Sequence, residues 1–332
     1  MIRPTTGGWR CSRSARAGTT ITTRIRCRRA TAWPGTKSTS IGWEYKRSAR
    51  FASPGTSSWP AAAYAGLALG YATIGHGPNA TPDVWSQARA AANRAVTLDP
   101  TLAEAHAAMA DVKLYFEHDW EGAERAFRRA NELNPGLAMN HYHYAWYLAL
   151  FGRWEEAIAE HKRAQELDPL TVIHTAWLAA VYGFSGRIDE AVAAARRSIE
   201  INENAAPGWV ALALSLAGQG NFQQAIDAAE RAAAINPVWK YVVGIVHAMA
   251  GRQDEGRRIM AELETGQVTG NAALQFAALQ VALGNVDEAF RWLAFEPAHG
   301  MLPWVRVDPA FLPLRADPRF AALMRRLNLP DP

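Results

Sequence analysis

From residue 61 onward the apolar positions follow a helical period and break at regular points. Tyr147, Leu148, Ala149, Leu150 and Phe151 form one apolar run, a glycine ends it, and a polar hexamer opens the next. The hexamer reads Gly-Arg-Trp-Glu-Glu-Ala at 152–157, Gly-Arg-Ile-Asp-Glu-Ala at 186–191 and Gly-Asn-Phe-Gln-Gln-Ala at 220–225, a spacing of 34 residues. It returns from Gly251 and Gly284, and a variant, His-Asp-Trp-Glu-Gly-Ala, precedes at 118–123. A second mark, Asp-Pro or Asn-Pro, falls at Pro100, Pro135, Pro169 and Pro237, each 12 residues after Ala88, Ala123, Ala157 or Ala225. A fixed period of this length, holding two helical patterns, predicts helix pairs that stack to bury faces no single pair can bury. Near the C-terminus Phe320, Leu323, Met324 and Leu327 share one helical face, and Asp317 with Pro318 is expected to open that last helix.

Each mark has a local reason. A glycine after an apolar run suits the left-handed conformation that ends a helix, so the first helix of each pair (helix A) is expected to stop there. The Asp or Asn before each proline is expected to cap the next helix A, with the proline in its first turn, where no N–H is needed. The pairs Ala110 with Ala123, Ala145 with Ala157, Ala179 with Ala191 and Ala213 with Ala225 are expected where the two helices cross, since small side chains let backbones approach to roughly 8–10 Å.

These marks resemble the tetratricopeptide repeat, position by position, over about four fifths of the chain. The helix-B aromatic of that family is matched by Phe127, whereas later repeats have His161, Ala195 and Ala229 there; Glu203 replaces a proline, and the sixth repeat is about three residues short. The resemblance implies an all-α superhelix of about six to seven helix pairs with a C-terminal capping helix. The chain is expected to divide into a basic, disordered head (1–58), a repeat array (59–302) and a C-terminal cap (303–332). The resemblance also implies a concave face lined by the A helices, with Tyr115, Met139, Tyr142, Trp146, Ile173, Phe184, Val210 and Leu214 directed into it. Repeats that grip a terminal carboxylate carry Lys, Asn and Arg at such positions. The apolar and aromatic set here implies a protein partner that offers a hydrophobic segment or a helix.

Charge changes the picture only for the head. Residues 1–60 hold 12 Lys and Arg against one acid, Glu44, leaving 23 basic and 30 acidic residues for 61–332. The sequence pI of about 9.2 therefore belongs to the head. The head has no Leu, Val, Asp, Asn, Gln or His, so it cannot bury a useful core. This composition points to a reading frame or start assigned upstream of the true one, which mapping of the native N-terminus by mass spectrometry tests. An alternative reading makes the head an arm that binds nucleic-acid phosphates and stacks bases, although nucleic acid is not the partner expected. Cys11 and Cys27 lack metal-ligand spacing and a disulfide framework. No stretch approaches the ~20 apolar residues of a membrane span, so a cytoplasmic protein with no membrane partner is expected, its oligomeric state left open.

Candidate chemistry is sparse. Gly-Phe-Ser-Gly at 183–186 lacks the spacing of a nucleophile elbow and reads as a helix-ending turn, as does Gly-Gln-Gly at 218–220. His141 and His143 lie two apart on a helix, about 200° around the axis, and cannot share one metal. The acids of the hexamers recur at helix N-termini, where negative charge is favoured, rather than as a catalytic pair. No enzyme, metal or cofactor is expected; a competing reading, an enzyme subunit, rests on the stretch 299–304. Residues 307–329 resemble the C-terminal end of bacterial signalling proteins whose repeats follow a class III adenylate cyclase, winged-helix or Ser/Thr kinase domain. In that family the repeats are the regulatory or partner-binding half. Residues 1–58 match none of those output domains, so none of those activities is carried over.

Overall fold

The computed structural model describes residues 10–14, 24–28, 60–76, 83–266, 270–295 and 300–329. The chain forms two units, residues 1–57 and 58–332. In the first, β1 (Arg10–Ser14) pairs antiparallel with β2 (Arg24–Arg28), and Cys11 stands opposite Cys27 in that register. The remainder of the expected coreless head lies outside the described residues.

The second unit is helical. Seven consecutive pairs run α1 (Ala61–Gly75) with α2 (Val84–Leu98), α3 (Ala103–Val112) with α4 (Trp120–Leu133), α5 (Ala138–Leu150) with α6 (Trp154–Leu167), and α7 (Val172–Phe184) with α8 (Ile188–Ile201). They continue with α9 (Ala206–Gly218) and α10 (Phe222–Ile235), α11 (Lys240–Met249) and α12 (Gln253–Glu264), and α13 (Gly270–Ala282) and α14 (Val286–Leu293). Two 3-10 turns, Leu302–Arg306 and Pro309–Leu314, then lead to α15 (Pro318–Arg326). Every odd-numbered helix from α1 to α13 packs on the even-numbered helix that follows it, and all eight alanines expected at the crossings are fully buried. Burying small side chains there lets bulkier neighbours such as Phe127 and Leu148 fill the space between pairs.

The A helices do not stack evenly. The backbone of α1 approaches that of α3, and α7, α9, α11 and α13 form a continuous row, but α5 stands off from both α3 and α7. The cause is legible in α5, whose run His-Tyr-His-Tyr-Ala-Trp-Tyr at 141–147 puts rings on several sides. Tyr142 and Trp146 reach toward the next repeat, where Tyr142 meets His174 at 5.4 Å and Trp146 meets Trp177 at 6.2 Å.

The helix ends follow the hexamer. Gly152, Gly186, Gly220, Gly251 and Gly284 have φ between 71° and 80°. The next residue's N–H returns to the helix it leaves, as Arg153 to the Leu148 carbonyl (3.0 Å) and Arg187 to Tyr182 (2.8 Å). His118 occupies the glycine position in the variant hexamer and takes the same conformation, φ 53°, after a π turn, Lys113–Glu117. A side chain there costs about 1 kcal/mol. His118→Gly is therefore expected to stabilise the fold by up to that amount, less what its ring gains by stacking 5.1 Å from Trp120, and thermal melting reads the difference.

The Asp-Pro and Asn-Pro marks behave differently from the expectation. Asp99, Asn134 and Asp168 end helix B instead of capping helix A, whereas Asn236 ends α10 and also caps the 3-10 turn Pro237–Trp239 that runs into α11, accepting from the Val238 N–H at 3.1 Å. Proline disfavours the helical conformation in the residue before it, and Asp99 is extended at φ −148°, ψ 96°. The side chain then closes a short turn, as Asp99 accepts from the Thr101 N–H at 2.9 Å and Asn134 from that of Gly136 at 3.0 Å. Helix A begins only at Ala103 and Ala138. The expectation holds for α15, where Asp317 accepts from the Arg319 N–H at 2.9 Å and Pro318 is the first helical residue. Phe320, Leu323, Met324 and Leu327 are buried as one face.

Candidate partner-binding site

A chain of aromatic rings runs through α2, three of the A helices and the turns beside them. Trp85 of α2 stacks 5.9 Å from Tyr115 in the turn after α3, and Tyr115 stacks 5.3 Å from Trp304 in the 3-10 turn Leu302–Arg306. Trp304 meets the edge of Trp146 at 6.2 Å, Trp146 meets Trp177, and Trp177 meets Trp239, which lies 5.9 Å from Tyr241 of α11. Trp85, Tyr115 and Trp304 are stacked, Trp146 meets Trp304 and Trp177 edge to face, and the contacts of Trp239 are tilted; stacked and edge-to-face pairs suit the ring quadrupole.

Of the expected groove residues, Tyr115 and Trp146 are buried, both against Trp304, and Val210 is buried in a second core among α7 to α12. Tyr142, Ile173 and Phe184 are half-buried, while Met139 and Leu214 are 37% and 42% exposed. The structure joins Tyr142, Trp146 and Phe184 into one cluster and leaves Met139 and Leu214 apart from it. Sequence reasoning missed Trp177, Trp239, Tyr241 and Trp304, all in or against that strip. Trp177 and Trp239 sit at repeat positions that the family pattern does not direct into the groove, whereas Tyr241, ten residues before Gly251, holds the position of Tyr142 before Gly152 in the shortened sixth repeat. Trp304 lies in a stretch without helical period, and His299 beside it lies outside the described residues.

Polar groups under the strip are paired unequally. His143 Nδ1 lies 2.6 Å from the buried Asp111 carboxylate, and His141 Nδ1 lies 2.5 Å from Glu160, so the two histidines of α5 serve different carboxylates. His161 and His174 are fully buried, and neither ring makes a hydrogen bond of normal geometry; the His174 backbone offers His161 a weak contact at most. Burial, with the nearby rings of His174 and His143, lowers the His161 pKa to about 3. Burial likewise raises the Tyr115 hydroxyl well above its usual range, and the Asp111 charge adds to this. Among the described residues no three His, Cys, Asp or Glu side chains gather to hold a metal. Ser185, within the loosely elbow-like tetrapeptide, donates to the Tyr182 carbonyl at 2.9 Å in a helix-ending turn.

The outer side is charged and cross-braced. Arg153 pairs with Glu156 in its own helix and with Glu124 of the preceding repeat, each at 2.6 Å; Arg187 repeats the pattern with Glu190 (2.5 Å) and Glu155 (3.2 Å). An open hollow lined by Arg128, Asn131, Tyr144, Glu156 and Glu160 lies among α4, α5 and α6, but several of its charges are already engaged in this network. Glu155 is thus a hexamer acid that ties one repeat to the next, while Glu156 and Glu190 hold the arginine of their own repeat.

Asp308, between the two 3-10 turns, is half-buried; burial pushes its carboxyl up to about 6, and its Oδ1 accepts from the Ala310 N–H at 2.9 Å. Above that pH the folded chain carries the cost of an ionised, partly desolvated carboxylate. The cost lifts as pH falls through 6 toward the ordinary carboxylate value, because the folded state then binds the extra proton. Amide exchange across 302–314 is expected to slow between pH 7 and pH 5 after correction for the intrinsic rate, and Asp308→Asn should abolish the change.

The tetratricopeptide-repeat profile matches residues 176–204 and again 206–237. A tetratricopeptide repeat protein from Parabacteroides merdae is 11% identical, with 71% of this chain and 94% of that one superposed at a TM-score of 0.52. PilW, a type IV pilus biogenesis factor, is 18% identical over 76% of this chain and 97% of its own, at 0.47. PilF of Pseudomonas aeruginosa is 20% identical over 77% and 97%, at 0.43. No curated protein matches the chain by sequence. Residues 176–237 are tetratricopeptide repeats, and the helix pairs on either side of them complete a solenoid of that type.

Proposed function

We propose that the chain is a protein-interaction scaffold that takes a hydrophobic segment or helix of a partner on its concave side. It serves as the regulatory half of a bacterial signalling system in the cytoplasm. The observation that carries this reading is the set of half-buried rings Tyr142 on α5, Trp177 and Phe184 on α7, Trp239 in the 3-10 turn Pro237–Trp239 and Tyr241 on α11, with Leu214 exposed on α9 between them. Rings held in place by neighbours lose little entropy on binding and offer large apolar area, the usual composition of an interface hot spot. The charged outer side is tied into its own salt-bridge network and has less to offer. Among the described residues no helix is long and apolar enough to cross a membrane.

The test is a photo-crosslinker placed at Leu214 of α9, and for comparison at Arg196 on the outer face of α8, in cells that make the protein. One protein crosslinked from Leu214 and not from Arg196 is the expected result. Crosslinks confined to Arg196 would move the binding surface to the outside and overturn the reading.

A further inference from the structure

We propose that residues 300–307 are a built-in ligand of the concave face. The segment an external protein presents there then has the same chemistry: a tryptophan preceded by Leu-Pro and followed two positions on by an arginine. The second half rests on the concave-side reading above; the first does not.

The segment is seated as a bound peptide is seated. Trp304 is 3% exposed between Tyr115 and Trp146, and the Gly300 backbone lies so close to Tyr115 that a Cβ there would stand 3.0 Å from the Tyr115 carbonyl oxygen. Arg306 Nη1 donates at 2.7 Å to the carbonyl of Leu150, the last residue of α5, where a helix leaves acceptors free and favours positive charge. This wedge enters beside α5, the A helix that stands off from its neighbours.

Leu302, Val305 and Val307 are buried with Trp304, so release exposes apolar surface, and three features favour it nonetheless. Backbone hydrogen bonds of the segment are local, such as Trp304 N–H to Met301 (3.1 Å) and Val307 N–H to Trp304 (2.9 Å), and among the described residues none joins its backbone to a solenoid backbone. The indole N–H of Trp304 is buried with no acceptor among the described residues, so the docked state leaves a donor unsatisfied that a better-fitted ligand could pair. The chain beyond is held separately: Phe311 and Leu314 are buried, the second turn packs on α13, and Arg319 of α15 pairs with Asp287 at 2.8 Å and lies 4.2 Å over the Phe290 ring. Residues 300–307 can therefore leave while the cap stays in place, and tethering keeps them at high effective concentration as a competitor. A partner must overcome that competition, which lowers its apparent affinity by the fraction of time the face is open.

The experiment titrates a fluorescent peptide of residues 300–307 into the full chain, wild type and Trp304→Ala, with the helix content of each checked by circular dichroism. The expected result is binding at least tenfold tighter to the variant, and none by a peptide whose own tryptophan is replaced by alanine. Equal affinity for both chains, or no binding to a folded variant, overturns the proposal. If Trp304→Ala does not fold, Arg306→Ala replaces it: a severalfold gain in peptide affinity over wild type supports the proposal and no gain overturns it. Light scattering of wild type runs alongside, and a dimer lost on adding excess peptide would show that the occupant is a second copy, which also overturns it. Crosslinks from Leu214 without any effect of Trp304 would leave the scaffold reading standing and sink the built-in ligand. Peptide capture without concave crosslinks would do the reverse.

Discussion

Ala157→Trp is expected to destabilise the protein by about 3 kcal/mol, the upper end of what overpacking a tight core costs. Ala157 is 0% exposed on α6 and its partner position, Ala145 on α5, is equally buried. A ring placed between them must either push α5 away from α6 or leave its rotamer, and both helices carry packing on their other sides. Leu148 and Leu150 of α5 are at 1% and 0% exposure, so α5 has little freedom to shift. In a body of this size the loss corresponds to a melting temperature lower by about 10 °C. A melting temperature within about 2 °C of wild type would mean that the two helices do not cross at these alanines.

Acid should weaken the fold through His161. Its folded pKa is near 3 because burial disfavours the charged ring, while the unfolded chain titrates near 6.5. The folded state thus binds fewer protons. Stability from this residue is complete above about pH 6.5 and falls as pH drops toward 3, by about 2 kcal/mol at pH 5. His174 beside it is shifted the same way by burial. His141 works in the opposite sense, because burial lowers its affinity for a proton but the Glu160 carboxylate and the Pro135 carbonyl together raise it further. The separating variant is His161→Phe, since the same position in the preceding repeat is Phe127, fully buried and stacked 5.5 Å from Tyr144. Urea unfolding at pH 7 and pH 5 is expected to show the variant retaining about 2 kcal/mol that wild type loses. Parallel losses in the two proteins would remove His161 as the cause.

The two predictions sit at different depths of legibility. Ala157 was readable as a crossing residue because it recurs at a fixed place in each period, and recurrence reports a local geometry that every repeat must satisfy. His161 was readable only as a departure, a histidine where Phe127 sets the pattern. That its nitrogens have almost nothing to bond to follows from His174 and Tyr142 closing around it, and those come from other helices. The site shows the same division. Trp146 shares its repeat position with Leu214, which remains exposed, yet Trp146 is covered by Trp304, from the far end of the chain.

The sequence by itself determined the helix pairs, their left-handed glycine stops, the alanine crossings and the buried face of α15. Each depends on backbone conformation and on neighbours within one period. Only the tertiary structure decided where helix A begins, because the proline of each Asp-Pro or Asn-Pro mark forces its neighbour out of the helix and the turn that follows must fit the preceding pair. It alone also decided which rings line an open surface and which are core. The superhelix brings residues 300–329 back across the A helices, so that the Trp120 indole donates to the Asn328 carbonyl at 3.0 Å across 208 positions of sequence. A contact at that separation leaves no period in the chain; it depends on the curvature accumulated over seven helix pairs.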